Sequence, residues 1–194
     1  MNTIISGRTA DSQEITYDTF AKLADSRVLF ITGYITDEIA SDMVATLLYL
    51  DCVENKKISL YINSEGGDIR NVFMIYDMIN ILSSPVETIC VGSAECESAL
   101  ILAAGTKGMR FATKNATICL NQLLSNTPHQ ADITIAETVL KENKNNNGKF
   151  VKELSSCIGK SIKIVRKDTE REKYFTAIAA KKYGIIDNVI GVSK

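Results

Sequence analysis

Three β-branched runs, Val28-Leu29-Phe30-Ile31-Thr32, Ile58-Ser59-Leu60-Tyr61-Ile62 and Val86-Glu87-Thr88-Ile89-Cys90-Val91, are each followed by a turn and then a stretch with helical spacing. This alternation constrains the fold more than any other feature. A strand that returns through a helix re-enters the sheet parallel to its predecessor, so the chain predicts βα units around a parallel sheet. The expected helices span 37–50, with Ile39, Met43, Leu47 and Leu50 on one face, then 69–82, and a third containing Ala99-Leu100-Ile101-Leu102-Ala103-Ala104. Two shorter strands are expected near 109–112 and 116–120. Successive βα units also suit a spiral, which periodicity alone does not decide. Pro85 opens the third strand, and Pro128 sits in a polar loop.

From 133 to 154 the pattern is helical, but Lys144-Asn145-Asn146-Asn147-Gly148 interrupts it with weak helix formers. These cost about 0.5–1 kcal/mol each relative to alanine, so the helix is expected to bend, fray or break there. No linker or composition shift divides the 194 residues, and the expectation is one domain.

A formal net charge of −1 supplies no basic surface for nucleic acid. No apolar run approaches the roughly 18 residues of a membrane-spanning helix, and the first residues do not read as a secretory signal. The five cysteines, Cys52, Cys90, Cys96, Cys119 and Cys157, form no CxxC or CxxH pair. They read as free, mostly buried thiols, with no zinc site or disulfide framework.

Two strand-to-helix turns carry chemistry. In Asn63-Ser64-Glu65-Gly66-Gly67-Asp68, paired glycines let a backbone N–H face a cleft, although a tight βα turn alone also accounts for them. In Gly92-Ser93-Ala94-Glu95-Cys96-Glu97-Ser98-Ala99, Cys96 takes the place where hydrolases expose a nucleophile beside oxyanion-stabilising N–H groups. A thiol there needs its pKa lowered from about 8.5. Glu95 and Glu97 act in the opposite sense if their carboxylates are near, and otherwise suit the first turn of a helix. His129, the one histidine, lies in a polar loop and reads as a solvated surface residue rather than as a base for Cys96.

These stretches resemble the proteolytic subunit of the Clp protease family, ClpP. The resemblance runs without a gap from Tyr61 to Gln122. It is carried by Tyr61-Ile62-Asn63-Ser64-x-Gly66-Gly67, Ile75-Tyr76-Asp77, Gly92-x-Ala94 and Leu102-Ala103-Ala104-Gly105-x-Lys107-Gly108-x-Arg110. It extends upstream through Arg27–Gly33 and downstream through Asp168-Thr169-Glu170-Arg171 and Ala179-x-x-x-Tyr183-Gly184-Ile185-Ile186-Asp187. It implies a ClpP/crotonase-like α/β spiral, with an axial segment over about residues 1–20 and a protruding handle over about 123–160. It also implies heptameric rings, homomeric or mixed, beneath an AAA+ unfoldase that uses the ATP, so this chain itself is expected to hold no cofactor or metal. The expected compartment is a cytoplasm, or a plastid-like stroma if a transit peptide has been removed.

The departures are as informative as the matches. The family's nucleophilic serine falls on Cys96, its histidine on Asn121 and its aspartate on Glu172, and the proline usual before the paired glycines is Glu65. An amide cannot take up and return a proton near neutral pH, which acyl transfer demands of the histidine. What remains is an oxyanion site at the backbone N–H groups of Gly67 and Glu97, compromised if the Glu97 carboxylate turns inward. The expectation is therefore a non-catalytic, ClpR-type subunit with a structural or regulatory role in the ring. The alternatives are a conditionally active peptidase using Cys96 and, more remotely, the acyl-CoA chemistry that the crotonase fold hosts. Changes in the handle predict weak or altered ring–ring stacking, with side-to-side packing retained.

Overall fold

The computed structural model describes residues 4–8, 14–123 and 132–191; His129 and Pro128 lie outside them. β1 (Ile4–Arg8) and β2 (Glu14–Asp18) pair antiparallel and lead into α1 (Thr19–Asp25), whose first turn is capped by Asp18 accepting from the Phe20 and Ala21 N–H groups. The βα units come next: β3 (Val28–Ile35), α2 (Asp37–Val53), β4 (Ile58–Gly67), α3 (Ile69–Ile81), β5 (Val86–Glu95) and α4 (Ser98–Ala104). The expected strands run three to five residues further than their β-branched cores, because β4 and β5 continue through the polar residues that form the turns.

Strands β3, β4 and β5 are parallel neighbours. β5 then divides its far edge. Its first half pairs with β6 (Arg110–Thr113), and its end pairs with β7 (Thr117–Leu120), where Glu95 stands opposite Cys119. β6 also pairs in parallel with β9 (Asn188–Ile190), and β7 pairs antiparallel with β8 (Lys173–Thr176). Among the described residues the sheet is thus parallel except at β7–β8.

The core gathers Ile31, Leu47, Ile58, Leu60, Ile62 and Ile75 with the whole apolar face of α4. Six of the seven residues of α4 are buried, and it packs on β4, β5, β7, α3 and α5. Each large side chain buried in this way contributes about 1.5–3 kcal/mol. At the start of the spiral the guanidinium of Arg27 (φ 62°) donates to the carbonyls of Leu50, Lys56 and Lys57 and reaches the Ser84 hydroxyl, tying α2 to the loops before β4 and β5.

Beyond α4, α5 (Ile133–Ile158) is one continuous helix of 26 residues, which corrects the expected break at Asn145-Asn146-Asn147-Gly148. The apolar second half of the helix stabilises its polar middle: Phe150, Val151, Leu154 and Ile158 are buried, against a propensity cost of about 0.5–1 kcal/mol per weak residue. Gly159, at φ 77°, closes the helix by donating to the Ser155 carbonyl at 2.9 Å. α6 (Ile162–Thr169) and α7 (Ala177–Tyr183) are the last described helices, pinned by Asp168, which accepts from Lys173 Nζ and the Tyr183 hydroxyl, both at 2.7 Å. The thiols are less uniformly buried than expected: Cys90 and Cys119 are buried, Cys96 and Cys157 half-buried, and Cys52 exposed. Among the described residues no helix is long and apolar enough to cross a membrane.

The end of the chain is fastened by Arg110, whose side chain is 4% exposed and forks onto Asp187 at 2.6 and 2.9 Å while also donating to the Cys157 carbonyl at 3.0 Å. The hydrogen bonds from Arg110 hold the Asp187 carboxyl below 3.8. A lowered carboxyl pKa contributes stability above its unfolded value and loses it as pH falls through the native one. Replacing Arg110 by Ala leaves that carboxylate and the Cys157 carbonyl without their donor, and should cost about 3–5 kcal/mol in urea denaturation at pH 7. The difference between wild type and variant should shrink as pH falls below about 3.8.

Candidate active site

The ends of β4 and β5 bring both sequence-predicted turns to one cleft of about 670 Å³, bordered by Gly67, Glu95, Cys96 and Glu97, with Leu123 and the first half of α5 opposite. Paired glycines are required in the first turn. Gly66 has φ 110°, and a Cβ on Gly67 would meet the Ile35 carbonyl oxygen at 2.5 Å. The close approach of β3 to β4 therefore leaves the Gly67 N–H facing the second turn.

The second turn has the shape of a nucleophile elbow. Cys96 lies at φ 54°, a left-handed conformation that costs a non-glycine residue about 1–3 kcal/mol. Its surroundings fix it there. The Cys96 N–H donates to the Cys119 carbonyl at 3.0 Å, and the buried Ser98 hydroxyl lies 2.7 Å from the Glu95 carbonyl and 2.9 Å from that of Ser64. Behind the turn, the end of β7 delivers Asn121, 7% exposed, whose side chain acts on the Cys96 thiol and opposes the rise in its pKa. Among the described residues the buried Asn121 Oδ1 has no hydrogen-bond partner. The group that neighbours the thiol is thus an amide, which cannot remove its proton.

Glu172 does not join this group. Lys173 pairs with Leu120, so Glu172 stands at the register position opposite Asn121, but its exposed carboxylate accepts from the Tyr174 hydroxyl at 3.2 Å. The structure therefore brings Cys96, Asn121, Gly67 and Glu97 together and leaves Glu172 outside. A pairing of Cys96 with His129 lies outside the described residues.

Glu97 corrects its expected role at a helix start. It occupies the N-cap position of α4 but makes no side-chain cap bond. Its carboxylate, in a residue only 8% exposed, folds back to accept the Gly67 N–H at 3.3 Å and its own backbone N–H. These are the two donors to which the family resemblance assigns an oxyanion. The structure places a carboxylate side chain on the Gly67 N–H. Sequence spacing gives no sign of this, because the contact joins residues thirty apart through the close approach of two turns.

The electrostatics are set by burial. The Cys96 thiol is pushed up to about 12, first by desolvation and then by the negative charge of Glu97, with Asn121 opposing weakly. Burial also raises the Glu97 carboxyl above 4.5, opposed by its two N–H donors and reinforced by Asp68. A raised carboxyl pKa means that the native state holds its proton more tightly than the unfolded state does. The Glu97 contribution to stability is thus complete below about 4.5 and falls as pH rises through the native value. Two measurements test these shifts. With iodoacetamide at pH 8, the exposed Cys52 should label while Cys96 stays unmodified in peptide mass spectrometry, and Glu97→Gln should accelerate Cys96. Urea denaturation of Glu97→Gln should lose the part of the pH slope that begins above about 4.5.

Comparison with known families agrees with this architecture. The family model described as Clp protease matches residues 11–193, nearly the whole chain, and the mostly parallel sheet with its flanking helices is consistent with the ClpP fold. Membership implies ring oligomers that work with Clp unfoldases in general. The chain belongs to the Clp protease family.

Proposed function

We propose that this chain is a catalytically silent subunit of a Clp protease complex, holding a place in a heptameric ring of ClpP-like subunits and contributing wall or docking surface. On this reading ATP is consumed by the unfoldase, and the chain itself carries no cofactor. The observation that supports it most directly is the Glu97 carboxylate on the Gly67 N–H and on its own N–H. An oxyanion site works by presenting unfilled donors to a developing negative charge, and a resident carboxylate both fills the donors and repels that charge. The neighbouring chemistry supports the same reading. Cys96 is held as a neutral thiol, Asn121 offers no basic nitrogen, and Glu172 turns to Tyr174. Losing key members of such a triad removes on the order of a millionfold in turnover.

The test separates the triad from the oxyanion site. Purified protein incubated with fluorogenic peptides and an unfolded protein should show no turnover; turnover abolished by Cys96→Ala would overturn the proposal in favour of a cysteine peptidase. The variant Cys96→Ser/Asn121→His/Glu172→Asp should remain near background while Glu97 is present. Adding Glu97→Met, similar in length but with no carboxylate, should raise activity by about a hundredfold or more, the usual scale of an oxyanion donor. Equal activity with and without Glu97 would remove the carboxylate from the explanation.

A further inference from the structure

We propose that Asn147 is a self-modifying site, at which the Gly148 nitrogen displaces the side-chain amide when the first half of α5 opens, converting α5 from one helix into two segments. Asn147-Gly148 is the one Asn-Gly step in the chain. Glycine has no side chain, so its nitrogen meets the least obstruction on the way to the asparagine Cγ. The reaction needs no partner beyond water. The Gly148 nitrogen forms a bond to Asn147 Cγ, the Cγ–Nδ2 bond breaks, and ammonia leaves with the nitrogen's proton. Water then opens the cyclic imide at either carbonyl. The products are an aspartate in the normal linkage and one whose main chain runs through the side-chain carbon. Neither step involves Cys96, Asn121 or Glu97, so the site works alike in a silent or an active subunit.

An intact helix prevents the attack, because each backbone nitrogen is committed to the carbonyl four residues earlier. Access depends on where α5 gives way, and burial puts that point beside Gly148. The buried residues of α5 are Phe150, Val151, Leu154, Ser155 and Ile158. Over residues 133–149 none is fully buried, so the first half can unwind without drawing a side chain out of the core. The weak helix formers Asn145-Asn146-Asn147-Gly148 stand at this boundary and lower the cost of opening there. Packing does not hold Gly148 closed either, since a Cβ on it would meet nothing within 4 Å.

A second observation concerns the reacting side chain itself. Among the described residues the buried Asn147 Oδ1 has no hydrogen-bond partner. Opening the helix therefore breaks no bond to that oxygen. A carboxylate in its place would be buried without a donor, which disfavours the closed helix. The other product goes further, because an extra main-chain carbon disrupts the regular spacing of hydrogen bonds along the helix. Each product thus favours the open form from which it arose, and the conversion runs one way. Its effect reaches the cleft, which Glu142, Asn143 and Asn146 border from the first half of α5.

The test is incubation of the full-length protein in mildly alkaline buffer made with heavy-oxygen water, followed by peptide mass spectrometry. In the folded protein Asn147 should take up the heavy oxygen faster than its neighbours Asn145 and Asn146, and more slowly than in the urea-unfolded chain. Gly148→Ala, for which the structure has room, should slow uptake about fivefold or more. Asn145→Ala leaves the reacting bond intact while strengthening the helix. It should slow uptake about threefold in the folded protein and leave the rate in the unfolded chain unchanged. An Asn147 that stays unlabelled in folded protein while the unfolded chain converts would overturn the inference. Equal rates for folded wild type and Asn145→Ala would do the same. Converted chains should exchange amide hydrogens faster than unconverted ones over residues 133–147, with 150–158 unchanged. No acceleration, or an equal one along all of α5, would refute the division of the helix.

Discussion

The burial of α4 on every side is the constraint on which the rest of the site depends. A seven-residue helix with six buried residues has no freedom to shift without opening voids against β4, β5, β7, α3 and α5. The chain must therefore leave β5 and enter α4 through a single tight turn. The left-handed backbone of Cys96 is the geometric consequence, held by the Cys119 carbonyl and by the Ser98 hydroxyl. This explains how the shape of a nucleophile elbow persists beside side chains unsuited to nucleophilic catalysis. The elbow is maintained by core packing, and the residues that perform chemistry are attached to it without being needed for it.

Much of the scaffold was legible in the chain itself. The β-branched runs at Val28, Ile58 and Val86 became parallel strands, and the spacing of Met43, Leu47 and Leu50 marked the buried face of α2. The polar middle of α5 misled because intrinsic propensity is local, whereas Phe150, Val151 and Leu154 obtain their stability from distant partners. The division of the β5 edge between β6 and β7 was equally hidden. It depends on where Gly92 and the turn after β6 let the strands part, and no periodicity encodes it.

At the site, the altered positions Cys96, Asn121 and Glu172 were readable by resemblance, but their mutual geometry was not. Glu172 departs from the cluster, and Tyr174, two residues on in β8, offers its carboxylate a hydroxyl. Glu142 reaches the cleft from α5, whose continuity the sequence pattern did not suggest. Glu97 was suspect for its charge, yet either a helix-capping or an inward-facing carboxylate fitted its position equally well. The choice was made by the two N–H groups, which give a buried carboxylate the hydrogen bonds it requires.

That choice has an energetic logic. A working oxyanion site keeps two backbone donors facing a cleft without permanent protein partners, and such unfilled polar groups are a cost that function imposes on stability. On the proposed silent reading no nucleophile generates an oxyanion, and a side chain that fills the donors carries no functional penalty. A carboxylate is the strongest neighbour available to them, since charge-assisted hydrogen bonds exceed neutral ones. The counterweight is burial, which raises the Glu97 pKa and the Cys96 pKa together. The same residue thus settles the donors, keeps the thiol protonated and adds a negative charge to the cleft wall. On the proposed reading, peptidase chemistry through Cys96 would first require Glu97 to move.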